Sequence, residues 1–299
     1  MLEAPALRPL SVGDIIDRTL RLYRANPILF VAVAVLPDLV VEVLQRAAGL
    51  SQSFDPNDLA AFLANAGGNP ALPRQLQAVN PGAFAAVGVV GTVLSLIQAS
   101  ALISAIGQRY LGKPVTVGGA YASGLRASPR LLLSGLIVIV LFAAAFLLLF
   151  LAVSLLNVAA VAVVAVIVGV VGLFVFGPFV FLSLAVVGPA VVLEGLGPVA
   201  AIRRSFHLMA KSRLRAFGLY VLIGIISAIV GLLFGLVFLV SFVSEPTLRA
   251  VLQTIANVAS AVVTGPLLYG SIVIFYYDLR VRKEAFDLQL AAEALPREA

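Results

Sequence analysis

The stretch "PRLLLSGLIVIVLFAAAFLLLFLAV", Pro129 to Val153, carries one charge, Arg130, at its edge. A run of about 20 apolar residues is what one helical crossing of a bilayer requires, because every backbone N–H and C=O must be satisfied within the segment once water is gone. Directly after it, "SLLN" (Ser154 to Asn157) reads as a short uncharged turn, and a second apolar run follows from Val158 to Gly188. Two long spans joined by so short a turn are antiparallel neighbours. The chain is therefore read as an all-α integral membrane protein.

Working outward, four more runs reach spanning length: Pro27 to Gln45, Ala83 to Tyr110, Arg215 to Val243 and Leu248 to Tyr277. Composition agrees. The chain is 62% hydrophobic and 11% charged, with a mean hydropathy of +1.11, far from an ordinary soluble domain. Six spans use up most of 299 residues, so a single polytopic domain over 1–299 is expected. Cysteine is absent and His207 is the one histidine, which excludes thiolate chemistry and His-pair metal sites; no cofactor is expected.

The net charge of +6 suggests nucleic acid only until its distribution is read. Of the 20 Lys and Arg, all but Arg46, Arg74 and Arg249 fall in the N-terminus, the second and fourth loops and the C-terminal tail. By the positive-inside rule both termini are cytoplasmic, and topology accounts for the charge without a nucleic-acid partner. The polar N-terminus predicts no cleaved signal peptide, so the first span acts as an anchor. One long extracytoplasmic segment, 47–82, contains "DPNDLAAFLANAGG", read as a short helix with Asp55 as its cap and Pro56 at its first position.

Three cytoplasmic segments can be laid over one another: "SVGDIIDRTLRLYRAN" (Ser11 to Asn26), "TVGGAYASGLRAS" (Thr116 to Ser128) and "GPVAAIRRSFHLMAKS" (Gly197 to Ser212). Each reads as an amphipathic helix in the interface plane, an elbow ahead of a span. In the first, Val12, Ile15, Ile16, Leu20 and Tyr23 form an apolar stripe, and Ser11 with Asp14 resembles a capping box. In the third, Val199, Ile202, Phe206 and Met209 form the stripe, with Arg203, Arg204, His207 and Lys211 on the wet face. Asn26, Ser128 and Ser212 are natural N-caps for the spans that follow, with Pro27 and Pro129 at the first helical position. The chain thus reads as three repeats of elbow helix plus transmembrane hairpin, at 8–110, 113–188 and 195–278, and a tail at 279–299.

Glycine–proline pairs occur in the fourth and sixth spans, Gly177–Pro178 and Gly265–Pro266. They read either as packing notches or as helix breaks around a central pocket. Asp38 and Glu42 are the acids of the first span, and Gln98 is a polar group of the second. Asp38 sits about 16 Å along its helix from Pro27, a depth at which an ionisable group is a functional candidate. A helix that starts higher in the interface would instead lift Asp38 toward the outer headgroups, where Glu42 and Arg46 pair. Arg21, Arg24, Arg203, Arg204, Lys211, Arg213 and Arg215 are candidate contacts for anionic lipid headgroups, each contributing about 1 kcal/mol near the leaflet.

The most charged stretch is "FYYDLRVRKEAFDLQL", Phe275 to Leu290. Tyr276 and Tyr277 suit the headgroup belt, and Asp278 with Arg282, Arg280 with Glu284 and Lys283 with Asp287 fall at i,i+4 spacing along a continuing helix. Phe286 and Leu290 give it an apolar edge able to fold against the elbows.

"LRPLSVGDIIDRTLRLYRANP", "EGLGPVAAIRRSFHLMAKSRLRAFGLY" and "YYDLRVRKEAFDL" together resemble the bacterial glycerophosphoryl diester phosphodiesterase membrane-domain family. The resemblance implies a multi-pass protein of the bacterial cytoplasmic membrane. In fused members a catalytic domain follows the membrane region, and its chemistry depends on paired histidines and metal-binding carboxylates; one histidine departs from that pattern. No catalytic residue is therefore assigned. The expected function is a non-catalytic membrane module that scaffolds, regulates or contacts lipid. The alternative is a carrier of a lipid or other amphiphile, and a phospholipid-related enzyme stands last.

Overall fold

The structure, a computed structural model, describes residues 8–49, 80–156, 176–237 and 245–293, with positions 169, 172 and 174. The described residues are helical, with no strand among them. In order they form α1 (Val12–Ala25), α2 (Pro27–Ala47), α3 (Pro81–Tyr110), α4 (Val117–Leu156) and α5 (Phe176–Leu193). Then come α6 (Pro198–Met209), α7 (Arg213–Gly235), α8 (Pro246–Glu284) and α9 (Phe286–Glu293). Six of these, α2, α3, α4, α5, α7 and α8, are long and apolar enough to cross a membrane. The short helix expected around Asp55 lies outside the described residues.

α1 forms as its sequence dictates. The Asp14 N–H reaches the Ser11 hydroxyl at 3.2 Å and the Ser11 N–H reaches the Asp14 carboxylate at 2.9 Å, a complete capping box. The Ser11 hydroxyl and N–H hold the Asp14 carboxyl below the usual carboxylate range. Ile15 and Ile16 are buried, with Val12, Leu20 and Tyr23 packed at the edge of the core.

The core lies at one end of the bundle, where α1, α6, the second half of α3, the start of α7 and the end of α8 meet; it is called here the basic end. Leu10, Ile15, Leu102, Ile106, Leu208, Leu219, Phe275 and Tyr276 are almost fully buried there. α8 is the central strut: 44% of its most apolar window is buried, against 6% for α4, whose Leu, Ile and Phe side chains face outward as a lipid-facing helix requires.

Several expectations change. Ser128 and Pro129 lie inside α4, which runs unbroken from the second elbow into the third span. Proline removes the N–H that would bond the carbonyl four residues back; the Ser128 hydroxyl donates to that carbonyl, Leu125 O, at 3.1 Å and lets the helix continue. Asn26 and Ser212 do precede α2 and α7, but neither side chain caps, because their backbones (φ −138°, ψ 50° and φ −117°, ψ 5°) lack the extended geometry a cap requires. α4 is still helical at Ser154 to Leu156, where a turn is expected, and Asn157 lies outside the described residues. α6 is rotated from the expected stripe: Ala201, Ser205 and Leu208 join Met209 inside, while Val199 is exposed.

The tail differs most. Tyr276, Tyr277 and Asp278 are buried in the core, so the tyrosines are not in a headgroup belt. The helix stops at Ala285, which adopts a left-handed backbone (φ 50°), and α9 turns away. Lys283 does not pair with Asp287; its ammonium donates to His207 O at 3.1 Å and Ala210 O at 2.7 Å, carbonyls at the end of α6. Phe286 folds back on α8 rather than on an elbow, stacking on Tyr277 with ring centres 5.7 Å apart, and Leu290 packs at the edge of the core.

Candidate functional site

α2 begins at Pro27, which puts Asp38 near the middle of a 21-residue span. Pro37, just before it, strips Val33 O of its helical partner, and the Tyr121 hydroxyl of α4 donates there at 2.8 Å. The Gln98 carboxamide of α3 uses both its N–H groups on α2, one on Ala34 O at 2.7 Å and one on Asp38 Oδ2 at 2.9 Å. Asp38 and Gln98 are thus brought together. Glu42 lies a turn further along and pairs with Arg46 at 3.0 Å, while Arg46 also donates to Ala250 O at 2.9 Å.

Two cavities share the Asp38–Gln98 pair. One, of about 680 Å³, lies between α2, α3 and α8, and its polar lining includes Glu42, Thr92, Ser95 and Asn257 among apolar groups such as Phe84 and Val258. The other, of about 320 Å³, lies toward α7 and is lined by Ile223, Ser227, Thr264, Gly265 and Tyr269. Gly265 therefore faces a cavity, but Pro266 causes no break: α8 is helical throughout, and the carbonyl Pro266 leaves bare, Val262 O, is approached by the Tyr23 hydroxyl at 3.5 Å. Gly177 and Pro178 lie in the helical start of α5, away from both cavities. The break in α5 comes later, at 184–186, ahead of Gly188–Pro189. There Ser205 of α6 donates to Ser183 O at 2.7 Å and accepts from the Val186 N–H at 3.3 Å.

At the basic end, Asp278 is the centre of a buried cluster. It accepts from the Leu10 N–H at 2.7 Å, Arg215 at 2.8 Å and Arg282 at 3.0 Å. Arg215 and Arg282 also donate to Leu10 O, so the N-terminal segment is gripped through both backbone groups of one residue. Arg204 bridges Glu194 and Glu284, and Glu194 also accepts from Tyr276. The two carboxylates, Glu284 foremost, push the Arg204 guanidinium further above its already high range, so it stays charged.

The seven basic candidates therefore divide. Arg204 and Arg215 hold the fold, and Arg213 lies 4.2 Å over the Phe179 ring and donates to Ser183. Arg21 pairs with Asp17 at 2.7 Å on an exposed face. Arg24, Arg203 and Lys211 are exposed.

Sequence reasoning missed Glu194, Ser205, Tyr121 and Leu10. Tyr121 had a readable signal, since Pro37 announces a bare carbonyl four residues earlier, at Val33, though the partner that meets it is set by packing; Ser205 had none, because the Ser183 carbonyl it bonds is freed by the break in α5 and not by a proline four residues on.

The family model for a domain of unknown function, DUF7847, matches residues 10–279. The chain belongs to this family. The match is to an uncharacterised domain and supplies no link to the glycerophosphoryl diester phosphodiesterase membrane domain. No curated protein and no solved structure matches the chain.

Proposed function

We propose that this DUF7847 member is a non-catalytic protein of the bacterial cytoplasmic membrane, with both termini in the cytoplasm, that takes the polar end of a lipid or other amphiphile into its cleft and carries it between leaflets. The observation that carries this reading is the Asp38–Gln98 pair at mid-span, shared by two cavities. A packed scaffold has no reason to keep an acid there, since an ionisable group at membrane depth costs about 3 kcal/mol or more. A volume of about 680 Å³ with polar and apolar lining suits a molecule with a headgroup and a chain.

The three-repeat organisation gains support from the elbows. Tyr23 of the first bonds α8 of the third unit, Tyr121 of the second bonds α2 of the first, and Ser205 of the third bonds α5 of the second. Each elbow grips the unit before it, a cyclic pattern suited to a parallel pseudo-threefold bundle. Arg24, Arg203 and Lys211 supply contact to anionic headgroups.

The test is lipid exchange in vesicles. The full chain is reconstituted with headgroup-labelled phospholipid, and loss of outer-leaflet fluorescence is followed after a membrane-impermeant reductant. Exchange well above protein-free vesicles is expected. Gly88→Phe, at a cavity-lining position with open space around it, should abolish exchange without lowering the melting temperature. Exchange equal to protein-free vesicles sinks the carrier reading and leaves a scaffold.

A further inference from the structure

We infer that the cleft selects an amphiphile whose polar end is a cation, in the simplest case a protonated primary amine; this rests on the carrier reading and specifies its substrate class. Two independent features of the lining point the same way.

The first is charge. α2 brings Asp38 and Glu42 to the larger cavity, and Glu42 is answered by Arg46, which is also tied to Ala250 O. The groups from α3 and α8 that line this cavity, including Thr92, Ser95 and Asn257, carry no charge. Ser227, Thr264 and Tyr269 in the smaller cavity are likewise neutral at pH 7. Among the described lining residues, Asp38 is left as the one carboxyl group with no basic side chain beside it, and away from water a charge of opposite sign is attracted far more strongly than in solution. A phosphate entering alone would stand against both carboxylates.

The second is the direction of the hydrogen bonds. Thr92 donates its hydroxyl proton to Gly88 O at 2.8 Å, Ser95 to Thr92 O at 2.9 Å and Thr264 to Ser260 O at 2.9 Å. Gln98 has both N–H groups committed to α2, and Asp38 receives that bond at Oδ2. What these five side chains offer a guest is lone pairs: three hydroxyl oxygens, a carboxamide oxygen and Asp38 Oδ1. An ammonium, with three donors and no acceptor, matches that set.

The experiment measures binding of three probes with the same chain, dodecylammonium, dodecanol and dodecyl phosphate, to the full protein in nanodiscs of a zwitterionic lipid. Dodecylammonium should bind at least about tenfold more tightly than either competitor. Asp38→Asn, nearly isosteric, should erase that preference, and Asp38→Glu should restore part of it. Equal binding of all three probes, or a preference that survives Asp38→Asn, overturns the cationic inference while leaving a lipid-binding cleft. Binding of none of the three overturns the cleft's role itself and the inference with it.

Discussion

Asp278 has Tyr277 before it and Leu279 after it, and all three are buried. A lone acid in such surroundings is stable only when paired, and here two guanidiniums and one N–H share it. The i,i+4 pairing with Arg282 is legible in the sequence. The reach to Leu10 and Arg215 is not, because it spans 268 and 63 residues. Asp278→Asn should destabilise the protein by about 2–4 kcal/mol, less than a fully buried pair, since solvent still reaches Arg215 and Arg282. The expected readout is a lower melting temperature by circular dichroism in detergent, with earlier tryptic cleavage at Arg18 as α1 is released. An unchanged melt and digest would mean the cluster holds nothing.

At the scale of elements, interior prolines set where helices continue and where they stop. Pro129, Pro37 and Pro266 each leave a carbonyl that a hydroxyl meets, and those helices run on. Ahead of Pro189 the helix gives way, and Ser205 bonds the opened turn from outside. The pairing of α3 with α4 depends on Gly124: a Cβ there would lie 2.7 Å from Ile97 O and 2.8 Å from Ala101 N. Backbone cannot yield as a side chain can, so Gly124→Ala should cost about 1–3 kcal/mol. Gly118→Ala, in the same helix with open space around it, should be neutral or slightly stabilising in the same melt. Equal behaviour of the two variants would remove close approach as the reason for Gly124.

Over the whole molecule, the packed basic end and the cleft on the other side of Asp38 divide the bundle into a rigid base and a more open half. The proposed orientation places that base in the cytoplasm. The absence of cysteine makes this simple to check. A single cysteine at Asn80, ahead of α3, should react with an impermeant maleimide on intact spheroplasts, whereas one at Lys113, between α3 and α4, should react only after lysis. The reverse pattern would invert the topology.

Hydropathy alone pointed to six helices long and apolar enough to cross a membrane, because the cost of an unsatisfied backbone in hydrocarbon leaves a long apolar run no other structure; the break at 184–186 in the fourth was not legible in it. Local chemistry likewise determined the capping box of α1 and the Glu42–Arg46 pair, whose partners lie within one helical turn. Asp38 and Gln98 were visible as polar residues in oily surroundings, yet their meeting across 60 positions, and the cavities around them, depend on how α2, α3, α7 and α8 pack. The same holds for the tail. A charged run read along one helix looks self-neutralising; only when α1, α6 and α7 close around it do the buried Asp278 and the half-buried Glu284 find arginines far away in the chain and anchor the fold.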